Sequence, residues 1–324
     1  MKSAVTAVPG TTAPHRSGTP WRARVARWVG LAIVFALFAV TVPDSSVATT
    51  DVLIVRQKPA SRAFGIDSGK KVIWILAVGA DARPGEDMTR VRGDALQLVG
   101  INTVTGAATA IGVPRDSWVS IPGVGSDKIN ASLYYGGPQL LGETIGNLIG
   151  IQPDYVMVTR FEYFKAMIGY IGGIRVDNPR EFSDPYLKPA GFKEGSIHLG
   201  PYDALQFSRV RKSLLRGDFD RSANQQLTLR GIQAKVRMRA AQPGFLEGGV
   251  LTVMKHTSTD LPPSELFRIA NAVAQVDPKK ITSCVVQGSI GNINGASVVL
   301  PYTEMARSFG DQARNDATIE NCGY

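Results

Sequence analysis

The sequence predicts a mixed α/β (α+β) fold, a single domain with a central, mainly antiparallel β-sheet flanked by helices. Short apolar runs rich in β-branched residues alternate with segments whose apolar residues recur at three- and four-residue spacings. The composition, 44% hydrophobic and 19% charged, is typical of a packed globular protein. A chain of 324 residues can bury such a core unaided, and no fixed-period repeat is visible.

The N-terminal region predicts a membrane anchor. Residues 28–42 are uncharged, and an anchor over 28–48 would reach the length of a membrane span. Five of the nine excess positive charges precede it, at Lys2, Arg16, Arg22, Arg24 and Arg27. The positive-inside rule therefore predicts a single-pass protein of the cell membrane, with residues 1–27 cytoplasmic and the C-terminal domain extracytoplasmic. A cleavable signal peptide is the alternative, although residues 45–49 lack a clear cleavage site.

The next segment, residues 49–70, has little periodicity and is predicted to be a linker to a folded domain at 71–324. Cys284 and Cys322 are predicted to form a disulfide, as suits an exported domain with an even cysteine count. Two unrelated buried thiols are the alternative. The three histidines are too widely separated to predict a metal site of their own.

Strands and helices are predicted along the whole of this domain. Apolar, β-branched runs predict strands at 71–79, 94–102, 107–113, 155–159, 281–286 and 296–300. Helical periodicity predicts helices at 138–149, 161–171, 201–207, 220–239, 263–276 and 303–314. Residues 102–106 are typical of a hairpin connection, with Gly106 at a position that favours positive φ. The first three strands are therefore predicted to form an antiparallel meander.

Charged residues flank each strand of this meander. The end of the first strand, the start of the second and the end of the third lie at one edge of an antiparallel sheet. The charged residues at this edge are Asp81, Arg83, Arg92, Asp94, Arg115 and Asp116. Strand ends are often polar, so each group alone would be ordinary surface. Three groups at one edge predict a binding site.

A second charged cluster lies later in the chain, around Arg209 and Arg211. Residues two apart face one ligand only in an extended segment, which requires the preceding helix to end near Phe207. A solvated basic helix is the alternative. Arginine outnumbers lysine in these clusters, as is typical of bidentate phosphate binding. Asp81 and Asp94 would supply the oxygen ligands that Mg²⁺ prefers, with the ion bridging to phosphate.

Several short strings from these clusters occur in a fixed order within residues 71–237. They are GADAR at 79–83, RGD at 92–94, VPRD at 113–116, DKINA at 127–131, YGGP at 135–138, RVR at 209–211, GDFDR at 217–221 and QQ at 225–226. Together with the anchor, these strings resemble the LytR-CpsA-Psr family of extracytoplasmic cell-wall enzymes.

The resemblance implies a phosphotransferase that moves a glycopolymer from an undecaprenyl pyrophosphate-linked donor to peptidoglycan through a phosphodiester. It implies Mg²⁺, with Mn²⁺ as an alternative, on Asp81 and Asp94. The implied pyrophosphate-binding residues are Arg83, Arg92, Arg115, Arg209, Arg211, Arg221 and Gln225. The catalytic candidates are Arg115, Asp116, Arg209, Arg211, Asp218 and Arg221. Among these, Asp116 and Asp218 are alternative general bases.

A polyprenyl carrier implies that the fold also encloses an apolar, lipid-binding tunnel between sheet and helices. The candidates for its lining are Leu140, Leu141, Ile145, Ile149, Phe161, Phe164, Met167, Ile168, Leu227 and Ile232. Ordinary core packing explains each of them equally well. The expected partners are the membrane, the donor and peptidoglycan, and no nucleic acid, because the cytoplasmic tail has no helix-turn-helix pattern.

The sequence departs from the family pattern in two ways. It stops near residue 324, so the additional C-terminal domain that some members carry is not expected. Gly93 and Ala95 stand where the family usually has Ser and Thr, so any hydroxyl contribution to metal or phosphate binding is missing. The same metal and arginines could instead support hydrolysis of the prenyl pyrophosphate, with water replacing the acceptor. A non-enzymatic regulator of the cell envelope or of transcription is the other alternative, suggested by the net charge of +9.

Overall fold

A computed structural model describes residues 51–57, 71–83 and 85–324 of the chain. The predicted cytoplasmic tail, the anchor at 28–48 and most of the predicted linker lie outside these residues. Within the described ranges, no helix is both long enough and apolar enough to cross a bilayer. All described residues belong to one compact unit.

Strands and helices alternate along the described part of the chain. The strands are β1 (Val52–Arg56), β2 (Val72–Ala80), β3 (Gly93–Asn102), β4 (Ala108–Gly112), β5 (Trp118–Ile121), β6 (Gly125–Lys128), β7 (Tyr155–Arg160), β8 (Ile174–Asn178), β9 (Phe182–Asp184), β10 (Lys188–Phe192), β11 (Gly195–Leu199), β12 (Thr257–Thr259), β13 (Ile281–Val285), β14 (Gly288–Ile293) and β15 (Ala296–Pro301). The helices are α1 (Ala131–Ile149), α2 (Phe161–Tyr170), α3 (Pro201–Arg209), α4 (Asp218–Ala240), α5 (Phe245–His256), α6 (Pro263–Gln275) and α7 (Thr303–Ala313).

Seven of these strands form the central sheet, in the order β12-β1-β7-β2-β3-β4-β13. β2, β3 and β4 form the predicted antiparallel meander, and Gly106 between β3 and β4 has φ +70°. Three of the six pairings are antiparallel and three are parallel. The sheet is therefore mixed rather than mainly antiparallel, because helical crossovers bring β7 and β13 back beside the meander in a parallel direction.

β1 lies inside the segment predicted as a linker. Its five residues pair antiparallel with β7, from Val52 opposite Thr159 to Arg56 opposite Tyr155. Val52 and Ile54 are buried. The prediction of a spacer is therefore wrong for this strand, because a run of five residues has no pattern of its own and is stabilised by its sheet neighbours.

The two faces of the central sheet are covered differently. On one face, α1 and α7 pack directly against the sheet. This solid core includes Leu76, Leu98, Leu141, Ile145, Val156 and Phe309. Side chains alternate along a strand, so Ile75, Val99 and Met157 face the other side, where they line a cavity roofed by α2, α4, α5 and α6. The face that lines the cavity is called the hollow side of the sheet.

The C-terminal tail is fastened to the sheet edge. Cys284 of β13 and Cys322 form a disulfide, with Cα atoms 5.6 Å apart. The hydroxyl oxygen of Tyr324 accepts a hydrogen bond of 2.8 Å from the N–H of Val285. The tail thereby covers part of an edge strand that would otherwise expose unpaired backbone groups.

Candidate functional site

Asp94 lies in a β-bulge at the edge where the meander strands meet. Gly79 pairs with Ala95 while Ala80 pairs with Gly93, so Asp94 is the extra residue in the register. A bulge redirects a side chain from the normal alternation of a strand. Asp81 directly follows the last residue of β2, so the two carboxylates lie at the same sheet edge, as the meander predicts.

Arg115 joins this edge to the helical layer. Its guanidinium pairs with Asp94, and its main-chain N–H donates a hydrogen bond of 3.0 Å to Oδ2 of Asp218, the first residue of α4. Burial opposes the charge of Arg115, but the charges of Asp94, Asp116 and Asp218 raise the pKa of the guanidinium above its ordinary value. The end of β4 and the start of α4 are therefore held together by one residue.

Asp218 and Arg221 form a buried ion pair in the first turn of α4. Nη1 of Arg211 lies 3.8 Å from the same Asp218 carboxylate. Burial raises the pKa of Asp218 in spite of Arg221, and burial lowers the pKa of Arg221 in spite of Asp218. Each charge is costly to bury alone, so the pair holds both side chains in fixed positions beside Arg115.

Asp116 is held by two cations. It accepts hydrogen bonds from Nζ of Lys128 at 3.0 Å and from Nη1 of Arg211 at 3.2 Å. Burial raises the pKa of Asp116, but the hydrogen bond and charge of Lys128, with the charges of Arg115 and Arg211, lower it below its ordinary value. Lys128 was not predicted as a site residue, although it lies in one of the matching strings.

Arg209 is the last residue of α3, which extends two residues beyond Phe207, so Arg209 is not in the extended segment that a joint grip with Arg211 requires. Its guanidinium carbon lies 4.9 Å from the ring centre of Phe161, and its Nη2 lies 3.6 Å from Oδ2 of Asp81. Arg209 and Arg211 therefore contact different acids instead of forming one extended pair. Val210 leaves the helical conformation between them, which separates the two guanidinium groups.

Gln225 is fixed inside the protein. Nε2 of Gln97 donates to Oε1 of Gln225 at 3.1 Å, and Nε2 of Gln225 donates to the carbonyl oxygen of Ser208 at 3.2 Å. Both glutamines are buried. Gln225 therefore joins β3, α3 and α4 at the site. Gln97 was not predicted, although a polar residue inside an apolar strand is a detectable signal.

Arg83 and Arg92 lie exposed on the loop between β2 and β3. Among the described residues, no ion pair links either of them to the acids of the cluster. The buried side chain of Arg160 stabilises this loop by donating hydrogen bonds to the carbonyl oxygens of Arg83 at 2.8 Å and Glu86 at 2.5 Å. Arg160 was not predicted, although it ends β7, the parallel neighbour of β2.

A cavity of about 880 Å³ opens beside the cluster. Its charged and polar end includes Asp94, Arg115, Arg209, Arg211, Arg221 and Gln225. Its apolar walls include Ile75, Val99, Met157, Phe164, Met167, Ile269 and Val273. One continuous space therefore joins a cluster of arginines to an apolar interior.

The cavity contains some of the predicted tunnel residues and not others. Phe161, Phe164, Met167 and Ile232 line it. The four predicted residues on α1 do not line the cavity, because that helix packs on the opposite face of the sheet. They are Leu140, Leu141, Ile145 and Ile149. Ile168 and Leu227 do not line it either, and both belong to a hydrophobic cluster that includes residues of α3.

The same edge offers carboxylates to a metal ion. Among the described residues, no group of three or more His, Cys, Asp or Glu side chains could hold a metal ion. Asp81 and Asp94 supply two carboxylates from adjacent strand ends, with side chains 58% and 23% exposed. Mg²⁺ is usually bound through one or two carboxylates together with waters and phosphate oxygens. This donor pair fits such an ion.

The chain is similar in sequence to a named transferase. "Polyisoprenyl-teichoic acid–peptidoglycan teichoic acid transferase TagU" of Bacillus anthracis is 33% identical over 202 residues, which cover 62% of this chain and 64% of the relative. The chain thus spans slightly less than two thirds of that relative's length.

Solved structures share the fold. TagV of Bacillus subtilis has 28% identity and a TM-score of 0.63, covering 77% of this chain and 99% of that one. The protein described as "LytR-CPS2A-psr family protein YwtF (TagT) with bound octaprenyl pyrophosphate lipid" has 22% identity and a TM-score of 0.56, covering 77% and 90%. The sequence profile of the LytR_cpsA_psr family matches residues 37–315, so the chain belongs to the LytR_cpsA_psr family.

Proposed function

We propose that the chain is a phosphotransferase that moves a glycopolymer from a polyprenyl pyrophosphate-linked donor to peptidoglycan. The observation that supports this most strongly is the single space that joins the arginine cluster to the apolar cavity. Such a space suits a ligand with a diphosphate head and a long hydrocarbon tail. The named activity of the TagU relatives, transfer of teichoic acid from a polyisoprenyl carrier to peptidoglycan, is of the same kind.

The arginines bind the diphosphate. Arg115, Arg209, Arg211 and Arg221 all border the polar end of the cavity, and guanidinium groups bind phosphate oxygens through two parallel hydrogen bonds. The low dielectric of a partly buried cavity strengthens these interactions compared with water. The tail lies along the apolar walls, where it is removed from water.

Transfer makes one bond and breaks another. A hydroxyl oxygen of the acceptor attacks the phosphorus that carries the glycan, and a new P–O bond forms. The bond from that phosphorus to the bridging oxygen breaks, and polyprenyl phosphate leaves with the electron pair. The arginines stabilise the negative charge that develops on the leaving phosphate.

The hydroxyl proton passes to Asp116 in this proposal. Both Asp116 and Asp218 are paired with cations, Asp116 with Lys128 and Arg211 and Asp218 with Arg221. The side chain of Asp116 is 20% exposed and that of Asp218 is 8% exposed, so an acceptor hydroxyl can approach Asp116 more readily. We therefore assign Asp116 as the proton acceptor and Asp218 as a positioning residue.

Asp81 and Asp94 would hold Mg²⁺ at the polar end. The ion, when bound, would withdraw negative charge from the diphosphate oxygens. Activity should fall on treatment with EDTA and return when Mg²⁺ is added. Unchanged activity after chelation would contradict the assignment of these two aspartates.

The domain would act outside the cell membrane, anchored through residues 28–48. Support comes from the five basic residues that precede the uncharged run and from the location of peptidoglycan. The test is a reporter that is active only outside the cytoplasm, fused after Tyr324. The reporter is expected to be active. A reporter active only inside the cell would favour the regulator alternative.

The test of function compares variants of the full-length chain in detergent with prenyl-linked donors of several wall polymers. Asp94→Asn and Arg211→Ala should abolish transfer while the protein stays folded. Asp311→Asn, at an exposed ion pair of α7, is the control that should remain active. Release of free phosphate ends without a phosphodiester to peptidoglycan would instead indicate hydrolysis. Retained transfer in both site variants would contradict the proposal.

A further inference from the structure

Two exposed tyrosines lie beside the candidate site and have no part in the transfer as described above. Tyr134 and Tyr135 in α1 are 52% and 43% exposed. Their ring centres lie 5.7 Å apart in an edge-to-face arrangement. Large aromatic side chains exposed together mark binding surfaces, because their apolar faces gain when a ligand covers them.

The start of α1 is tied to both charged strand ends. The N–H of Asn130 donates to the carbonyl oxygen of Arg115 at 3.3 Å, and the N–H of Gly93 donates to the carbonyl oxygen of Asn130 at 3.4 Å. The tyrosines follow Asn130 by about one helical turn. They therefore lie next to the edge that bears Arg115 and Asp94.

One polar neighbour, Asp127, holds the ring of Tyr135 in place. The hydroxyl of Tyr135 donates a hydrogen bond of 2.8 Å to Oδ2 of Asp127. Gly136 and Gly137 interrupt the helix directly after the rings, with Gly137 at φ +66°. The pair thus sits on a helix start that is bounded by a bend and supported by a carboxylate.

We propose that Tyr134 and Tyr135 bind a pyranose ring of the substrates, either from the glycan of the donor or from the peptidoglycan acceptor. This inference rests on the proposed function and adds a sugar subsite to it. Aromatic rings cover the apolar face of a sugar, and Asp127 can accept hydrogen bonds from sugar hydroxyls. An anionic lipid surface is a poorer occupant, because Asp127 would repel it.

The test uses the full-length chain and three probes. These are bare octaprenyl pyrophosphate, octaprenyl pyrophosphate carrying one N-acetylhexosamine, and a soluble peptidoglycan fragment as acceptor. The variants are Tyr134→Ala/Tyr135→Ala and Tyr134→Phe/Tyr135→Phe, with Tyr302→Ala as a control at another exposed tyrosine. The Phe variant keeps both rings and removes the hydroxyl groups.

The Ala variant should either bind the sugar-bearing donor about tenfold more weakly or show a KM for the acceptor about tenfold higher. Its affinity for the bare lipid should stay unchanged. A change with the donor assigns the subsite to the donor glycan, and a change with the acceptor assigns it to peptidoglycan. The Phe variant should stay within about threefold of wild type. An equal loss for the bare lipid, or no change at all, would overturn the subsite. Failure of the wild type to bind the bare lipid would instead contradict the proposed function.

Discussion

The main-chain N–H of Arg115 donates a hydrogen bond to the carboxylate of Asp218, which lies 103 residues later in the chain. This bond docks the first turn of α4 on the end of β4. It brings Arg211 and Arg221 to the edge that already carries Asp94. A long-range contact between the loop after β4 and the start of a helix is therefore one of the contacts that assemble the arginine cluster.

Removal of Asp218 should destabilise the domain. Asp218→Ala would leave the buried Arg221 guanidinium without its ion-pair partner, at a cost of about 3 kcal/mol in the free energy of unfolding. Asp218→Asn keeps an acceptor for the N–H of Arg115 and should cost less. Urea denaturation measures both, with Asp311→Ala as an exposed control expected within about 0.5 kcal/mol of wild type. Wild-type stability in Asp218→Ala would show that the pair does not hold the site together.

The pH dependence of stability should identify Asp116. Its folded-state pKa is lowered, so its ionised form contributes stability above the unfolded pKa of about 3.9, and this contribution is lost as pH falls through the folded value. Asp116→Asn should therefore be less stable than wild type at neutral pH, and the difference should shrink as pH falls below the unfolded pKa of about 3.9. A difference that stays constant from about pH 7 down to about pH 2, measured by urea denaturation at each pH, would be the contrary result.

A close approach in the sheet predicts the effect of an added methyl group. A Cβ on Gly100 of β3 would lie 2.5 Å from the ring of the fully buried Trp74. Gly100→Ala should therefore lower stability by about 1–3 kcal/mol. Gly249→Ala is the matched control, because a Cβ there meets nothing within 4 Å and the helix interior favours Ala. Thermal unfolding of the two variants distinguishes them, and equal midpoints would contradict the packing described.

A substitution that fills the cavity should weaken binding of the prenyl chain without weakening binding of the pyrophosphate. Ala77 of β2 lines the cavity on the hollow side of the sheet. Ala77→Phe should weaken binding of octaprenyl pyrophosphate by about tenfold or more, while a geranyl pyrophosphate probe should bind nearly as well as to wild type. Equilibrium binding by fluorescence measures both. Equal effects on the long and the short lipid would place the tail elsewhere.

Local patterns in the sequence were sufficient to predict the meander and the shared edge of the site. β2 is an uninterrupted apolar run, and β3 and β4 are apolar runs broken by Gln97 and Thr109, with Gly106 at the connection between them. The charged residues that flank these runs could be assigned to one edge from strand direction alone. Strand direction therefore predicts that Asp94 and Arg115 are neighbours at this edge.

Features that depend on the rest of the fold could not be predicted in this way. The hollow and solid faces of the sheet are lined by the same kinds of apolar residue, so Leu141 and Met167 could not be distinguished. β1 is stabilised by β7 and by β12, whose paired residues lie about 100 and about 200 positions later in the chain, respectively. The bulge at Asp94 arises from its pairing with β2. Each is a tertiary effect that overrides local pattern.

A crystal structure of the full-length protein with octaprenyl pyrophosphate tests the central claim most directly. The phosphates are expected against Arg115, Arg211 and Arg221, with the prenyl carbons along Ile75 and Met167 inside the cavity. A lipid bound on the α1 face of the sheet, or a diphosphate away from the three arginines, would contradict the account.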